Sequence, residues 1–306
     1  MRVLVTGGAG FIGSHLCDAL VREGHELTII DNLSTGRREN VLDAESLVEA
    51  DIRDRSALQT ALERSRPEIV FHLAAQMNVR RSVADALQDA EINILGGLNI
   101  FQAAVHAGVG RMIFASSGGA IYGDQEHYPC TEGDYPKPSS PYAITKLAVE
   151  QYGRFYRETA GLEFTALRLA NVYGPRQNPQ GEAGVVALFM KDIRASKAPT
   201  IFGDGGQTRD FVWIGDVVRA FLLSMKGREG TYNIGTGKET TIRELHATLS
   251  RIMKPAPKPR HSPTCAGEVR RNSLSCKEAR QVLGWRPTVT LVEGLKRTAT
   301  SAAEVA

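Results

Sequence analysis

The 306-residue sequence lacks the features that would direct it to a membrane, a nucleic acid or an oxidising compartment. No apolar run reaches the roughly 18 residues that a membrane-spanning helix needs. No long basic block exists either. Arg37-Arg38, Arg80-Arg81 and Arg270-Arg271 are doublets in a chain of net charge +3, whereas a nucleic-acid footprint is dense and clustered. A few arginines in a cleft suit a phosphate-bearing small molecule instead. Cysteine is scarce, and Cys17, Cys130, Cys265 and Cys276 have no CxxC spacing. That excludes a zinc site or redox pair of the usual kind and leaves reduced thiols, as expected in the cytoplasm. The opening MRVLVTGGAGF reads as a strand and a glycine turn, with no secretory layout. The expectation is therefore a cytoplasmic globular protein with no metal, nucleic-acid or membrane partner.

What is present is an alternation. Short apolar runs at Arg2–Thr6, Glu26–Ile30, Leu47–Glu49, Ile69–Leu73, Met112–Ala115 and Phe164–Leu169 predict strands. Between them, helix-period stretches lie near Phe11–Arg22, Arg55–Ser65, Asn93–Ala107 and Tyr142–Thr159. Strands alternating with helices predict an α/β fold, a doubly wound parallel sheet of the Rossmann type covered on both faces. After about Asn171 the rhythm breaks into longer, Pro- and Gly-rich loops such as NVYGPRQNPQGEAG and KPAPKPRHSPTCAG. The expected division is a nucleotide-binding domain over residues 1–171, receiving later segments near 205–236. A smaller, mixed, substrate-binding region over 172–306 interleaves with it.

The first βα turn reads Thr6-Gly7-Gly8-Ala9-Gly10-Phe11-Ile12-Gly13. Gly7, Gly10 and Gly13 permit a tight turn, close approach of a pyrophosphate and close helix–sheet packing. The diphosphate would then meet the free N–H groups and positive dipole end of the helix. Asp31 stands eighteen residues past Gly13 at the end of the second strand. A carboxylate there accepts from the adenosine ribose hydroxyls and repels a 2′-phosphate, favouring NAD over NADP. Asn32, Ser34, Thr35 and Gly36 follow it. Asp51 and Ile52 would flank adenine, and Leu73, Ala74, Ala75 and Gln76 would border the cofactor's path. Asn93, Ser116, Tyr142 and Lys146 complete the expected cofactor positions.

PSSPYAITK places Tyr142 and Lys146 at i, i+4 just after a helix-start signal, on one helical face. An ammonium beside a phenol lowers its pKa, so Tyr142 is expected to be tuned for acid–base work.

Taken together, TGGAGFIG, Asp31, HLAAQ, SSGGAIYGD and YAITK resemble the extended short-chain dehydrogenase/reductase family, and within it the nucleotide-sugar epimerases. The likeness continues through NVYGPRQ, TRDFVWIGDV, YNIGTG and LGWRPTVTLVEGLK, essentially the whole chain. It implies an NAD-dependent 4-epimerase acting on a UDP-sugar, with UDP-glucose and UDP-galactose as the expected pair. UDP-glucuronate, UDP-N-acetylglucosamine and a non-catalytic nucleotide-binding regulatory role are the alternatives. The resemblance implies that Tyr142 takes the 4-hydroxyl proton while hydride passes from C4 to the nicotinamide. Lys146 would tune Tyr142. Asn171, Arg209 and Glu268 would hold the substrate's diphosphate and uridine ribose. It also implies a homodimer, for which Leu95, Leu98, Phe101, Leu147 and Val149 are candidate contacts.

Two positions depart from the family pattern. Counting four residues back from Tyr122 reaches Gly118, where the family carries a catalytic serine or threonine. The expectation is that Ser117, Ser116 or water replaces that hydroxyl, with Gly118 and Gly119 bordering the sugar. Cys265 stands where a diphosphate-binding arginine is expected, so either Arg260 or His261 reaches in or the affinity is lower. Asn272 is smaller than the tyrosine found there in some epimerases, so N-acetylated sugars are expected to fit as well.

Overall fold

The computed structural model describes residues 1–42, 46–179, 184–254, 256–264 and 269–301. Its centre is a seven-stranded sheet made of β1 (Arg2–Thr6), β2 (Glu26–Asp31), β3 (Leu47–Glu49), β4 (Ile69–His72), β5 (Arg111–Ser117), β6 (Glu163–Leu169) and β7 (Gly230–Ile234). The order across the sheet is β7-β6-β5-β4-β1-β2-β3, and every neighbouring pair is parallel. Strand order reverses between β1 and β4. In such sheets ligands bind outside the carboxyl ends of the strands at that reversal.

Helices α1 (Phe11–Arg22), α2 (Arg55–Ser65), α3 (Gly96–His106), α4 (Pro141–Ala160) and α5 (Ile214–Ser224) cover the sheet. One core lies on the side of α1 and α5, with Leu16, Leu20, Phe221 and Trp285. The other lies beneath α2, α3 and α4, with Leu58, Leu62, Phe101, Val149 and Phe164. Both faces are apolar because both are covered, which is why the strands read as continuous hydrophobic runs. α4 begins on a serine cap, where Ser140 Oγ accepts from Ala143 N, with proline in its first turn. It ends at Gly161 in the left-handed region.

A third core joins Tyr173, Phe189, Phe211, Leu245, Leu249 and Leu295. It lies among the helices Val185–Arg194, Ile242–Ile252 and Leu291–Ser301. Only two-stranded pairings accompany it, such as Arg260–Ser262 on Thr200–Phe202. The chain also returns to the large sheet through β7, and α5 packs against α1.

The expected dimer contacts divide. Phe101 and Val149 are fully buried within the subunit, in the α2–α3–α4 core, so they are corrected to intramolecular residues. Leu95 is 54% exposed, and Ile144 and Phe155 on α4 are about equally so.

Candidate active site

The carboxyl ends of β1 and β4 form a cradle that side chains cannot enter. Gly7 has φ +73°, and a Cβ there would lie 2.7 Å from Ala74 N. A Cβ on Gly13 would lie 2.1 Å from Gly7 O. Gly10 caps α1 without a side-chain hydrogen bond, so the first-turn N–H groups face an approaching anion rather than a capping oxygen. The side chains of Phe11 and Ile12 pack on the core behind this turn.

Asp31 closes the cradle's far side. Its carboxylate accepts from Ala9 N at 2.9 Å and Leu33 N at 2.8 Å, which leaves lone pairs for two further donors. Burial pushes its pKa up, and the two backbone N–H groups oppose that. Gly36 is equally constrained, since a Cβ there would lie 2.9 Å from Asp31 Oδ1. Asn32 donates to Asp51 at 2.8 Å and accepts from Ser34 N, while Ser34 and Thr35 stay exposed. Asp51 is held well below the usual carboxylate range by Arg53. Asp51 lies beyond the end of β3, and the Ile52 side chain packs in the core against Gly96. Arg38 of the basic doublet is paired with Glu49.

Thr6 fixes the loop after β4. Its Oγ1 accepts from Leu73 N and Ala74 N at 3.2 Å each and lies 2.8 Å from His72 Nδ1. The hydroxyl proton therefore goes to Nδ1, and His72 carries its hydrogen on Nε2. Burial pushes the His72 pKa down to about 3, in keeping with a neutral ring. Beyond Ala75, Gln76 N donates to Asn93 Oδ1 at 2.8 Å, and Asn93 Nδ2 donates back to Gln76 O at 3.0 Å. Asn93 projects from a π-helical turn at Glu91–Leu95, a local geometry that recurs at functional sites. The uncapped helix end, the glycine contacts and the Asp31 carboxylate all fit a dinucleotide.

Next to this cradle, Tyr142, Lys146 and Glu150 form a stripe at i, i+4 and i+8 on α4. It meets three consecutive residues at the tip of β5. Ser117 faces the Tyr142 phenol and favours its ionised form. Lys146 Nζ donates to Ala115 O at 2.9 Å. Ser116 Oγ donates to Glu150 Oε1 at 2.5 Å. Glu150 is in turn paired with buried Arg168 on β6, with Nη2 at 2.7 Å from Oε2. Arg168 also donates to the Tyr122 hydroxyl at 2.9 Å.

These contacts correct three expectations. Ser116 spends its proton on Glu150 and is 3% exposed, so it does not face the reacting sugar. No hydroxyl is missing at Gly118, because a Cβ there would meet Leu274 Cδ1 at 2.5 Å and Arg168 O at 3.2 Å. That direction is filled by packing, and Ser117 already reaches Tyr142. The phenol is also not acidified by its neighbour. Burial pushes Tyr142 up to about 12, opposed by Ser117, and burial pushes Lys146 down to about 8. The Lys146 ammonium sits over the Phe114 ring, 4.7 Å from its centre, and 5.8 Å from the centre of the Tyr142 ring.

The opposite wall comes from later segments. Asn171 Oδ1 is buried without a protein partner, and a Cβ on Gly119 would lie 3.6 Å from it. Gly119 thus borders Asn171 and Ser117, whereas Gly118 does not. Arg209 donates to Thr208 O and Val269 O at 2.8 Å each. Asn272, 1% exposed, donates to Gly118 O at 3.2 Å. Arg260 and His261 are tied to Thr200 and Gly203 on the small sheet. Glu268 and Cys265 lie outside the described residues.

Residues 3–235 match the NAD dependent epimerase/dehydratase family. The chain belongs to that family. It is 45% identical over 305 residues to a UDP-glucose 4-epimerase of Mycolicibacterium smegmatis, covering 97% of each chain. Among solved structures it is similar to a UDP-glucose 4-epimerase of Thermotoga maritima with UDP-glucose. There the TM-score is 0.98 and the identity 44%, covering 100% of this chain and 99% of that one. It is also similar to the Thermus thermophilus UDP-glucose 4-epimerase in complex with NAD, with TM-score 0.97, 42% identity and full coverage of both chains. The chain is accordingly an NAD-dependent enzyme of the epimerase family with a Rossmann-type sheet.

Sequence reasoning missed the buried charges of this family member. Glu150 is visible as one more step of the Tyr142–Lys146 stripe. Arg168 is visible as a cation inside an apolar strand, FTALRLA, a position that needs a buried partner. Asp89, 1% exposed, and Thr6 gave no signal of their own.

Proposed function

We propose that this protein is a UDP-glucose 4-epimerase that interconverts UDP-glucose and UDP-galactose through a 4-keto sugar. The observation that carries the reading is the placement of the Ser117–Tyr142 pair between the glycine cradle and Asn171. Bound NAD supplies the hydride acceptor and donor. Tyr142 takes the proton from the sugar's 4-hydroxyl as the C4–H bond breaks, and returns it when hydride comes back to the opposite face. Ser117 shares the same oxygen and orients its proton. The Lys146 ammonium lies 5.8 Å from the centre of the Tyr142 ring, and its movement toward the phenol oxygen in the substrate complex would lower the phenol's pKa from the value that burial sets. Asn171 and Arg209, with Glu268, anchor the UDP while the freed sugar turns over. Asp31 holds the adenosine ribose.

Residues 1–171 with the segments near 205–236 form the NAD-binding domain, and the remainder of 172–306 forms the substrate region. Its separate core supports that division. The exposed Leu95, Ile144 and Phe155 support a homodimer through α4 and the turn that leads into α3. The free thiols of Cys17, Cys130 and Cys276 fit a cytoplasmic location. The small Asn272 supports UDP-N-acetylglucosamine as a second substrate. The test incubates the purified protein with UDP-glucose, UDP-N-acetylglucosamine and UDP-glucuronate and separates the epimers by chromatography. Conversion of UDP-glucose without added cofactor is expected. Failure to convert it removes the assignment, and conversion of UDP-glucuronate alone replaces it.

A further inference from the structure

Asp89 is a buried carboxylate whose hydrogen-bond donors are all neutral. Oδ1 accepts from Gln76 Nε2 at 2.7 Å and Asn93 Nδ2 at 3.1 Å, and Oδ2 accepts from Thr145 Oγ1 at 3.0 Å. A buried charge is costly unless a cation or several donors compensate it. Thr145 sits on α4 between Tyr142 and Lys146, so the carboxylate lies against the turn that carries the catalytic pair. Of the other charged groups on elements packed against α4, Arg80 lies over the Phe202 ring and Arg81 donates to Gln88. Glu150, on α4 itself, is neutralised by Arg168 from β6. His72 from β4 is neutral, with Nδ1 on Thr6. Tyr142 is faced by Ser117 and by Asp89. Lys146 feels Asp89 and Glu150, and both favour its charged form. With Glu150 matched by Arg168, Asp89 is, among the described groups named here, the carboxylate with no cation among its hydrogen-bond partners, and Lys146, the next residue of α4 after Thr145, is the cation that feels it.

We infer that Asp89 is a positioning residue of the reaction, whose buried charge keeps Lys146 an ammonium and Tyr142 a phenol until the sugar is engaged. The inference rests on reading Tyr142 and Lys146 as the catalytic pair.

Asp89→Asn isolates the charge. Its amide oxygen still accepts from Gln76 and Asn93. Its new NH2 donates to Thr145 Oγ1, whose own proton turns to Tyr142 O, already 3.0 Å away. The readout is the 13Cε shift of Lys146 in the full protein labelled with 13Cε-lysine, titrated with pH and assigned with Lys146→Met. The midpoint is expected to drop by roughly one pH unit in Asp89→Asn, the scale of one nearby charge. The alkaline limb of the pH–kcat profile should move down equally, with KM for UDP-glucose unchanged. Thr145→Val keeps the charge and cuts the tether, so its Lys146 midpoint should stay within about half a pH unit of the parent. An unmoved midpoint in Asp89→Asn overturns the inference. So does a Thr145→Val shift as large as that of Asp89→Asn. The NMR titration needs no turnover, so a protein that epimerises nothing would refute the proposed function and still decide the role of Asp89.

Discussion

The two walls of the cleft are built from different materials. The cofactor wall is mostly backbone. Gly7, Gly10, Gly13 and the first turn of α1 shape it, and the parallel sheet holds it rigid. The opposite wall, proposed to take the substrate, is made of side chains from outside the large sheet: Asn171 and Arg209 stand on strands of two-stranded pairings, and Asn272 on a loop. A backbone surface recognises a part common to many reactions and tolerates no added Cβ. A side-chain surface is adjustable, which suits the variable half of the ligand pair. The residues proposed to react stand at the seam, on the β5 tip and α4, where the rigid wall fixes their register.

The largest effect expected is at the seam. Tyr142→Phe should lower kcat by about a thousandfold, within the range for a lost general acid–base group, while NAD stays bound; absorbance of the purified variant checks retention. A variant that keeps full turnover would move the chemistry elsewhere. On the cofactor wall, Gly13→Ala forces a Cβ against Gly7 O. It should cost about 2 kcal/mol of stability, as overpacking does, and empty the cofactor site, read by urea denaturation and by NAD released on heating. Retained NAD would mean that the backbone wall is softer than its contacts indicate.

At the β5 tip the two serines should separate. Ser117→Ala should reduce kcat about tenfold by removing the phenol's partner. Ser116→Ala should leave kcat nearly intact and cost about 1 kcal/mol of stability through the lost bond to Glu150. Equal effects on kcat would show that both hydroxyls serve the sugar. An effect as large as that of Ser117→Ala, but on KM, is expected at the opposite wall. Arg209→Ala should raise KM for UDP-glucose by about tenfold, the worth of one charge-assisted hydrogen bond, with kcat little changed. A kcat loss instead would place Arg209 at the seam rather than on the anchoring wall.

Most of the first half was legible in the sequence because each element declares itself locally. Apolar runs set β1 to β6, and α4 is announced by its serine cap and proline. The glycine turn declares the cofactor wall because only glycine fits those contacts. The seam was less legible. Ser116 and Ser117 are identical in sequence, and only the register of β5 beside α4 separates a phenol partner from a Glu150 partner. Gly118 read as a lost hydroxyl because counting along a chain cannot show that its Cβ direction is filled by Leu274, more than 150 residues away. Phe101 and Val149 read as dimer contacts because apolar periodicity marks a buried face without saying which partner buries it.

The sequence by itself determined the parallel α/β sheet, the dinucleotide turn, the Asp31 carboxylate and the Tyr142–Lys146 stripe, since all of these rest on spacing within one or two neighbouring elements. Tertiary structure alone decided which serine meets Tyr142, that Asp89 lies against the turn carrying Tyr142 and Lys146, and that burial is the largest influence on the phenol. Those outcomes depend on the local dielectric and on groups brought together from distant parts of the chain, and neither is written in any one segment.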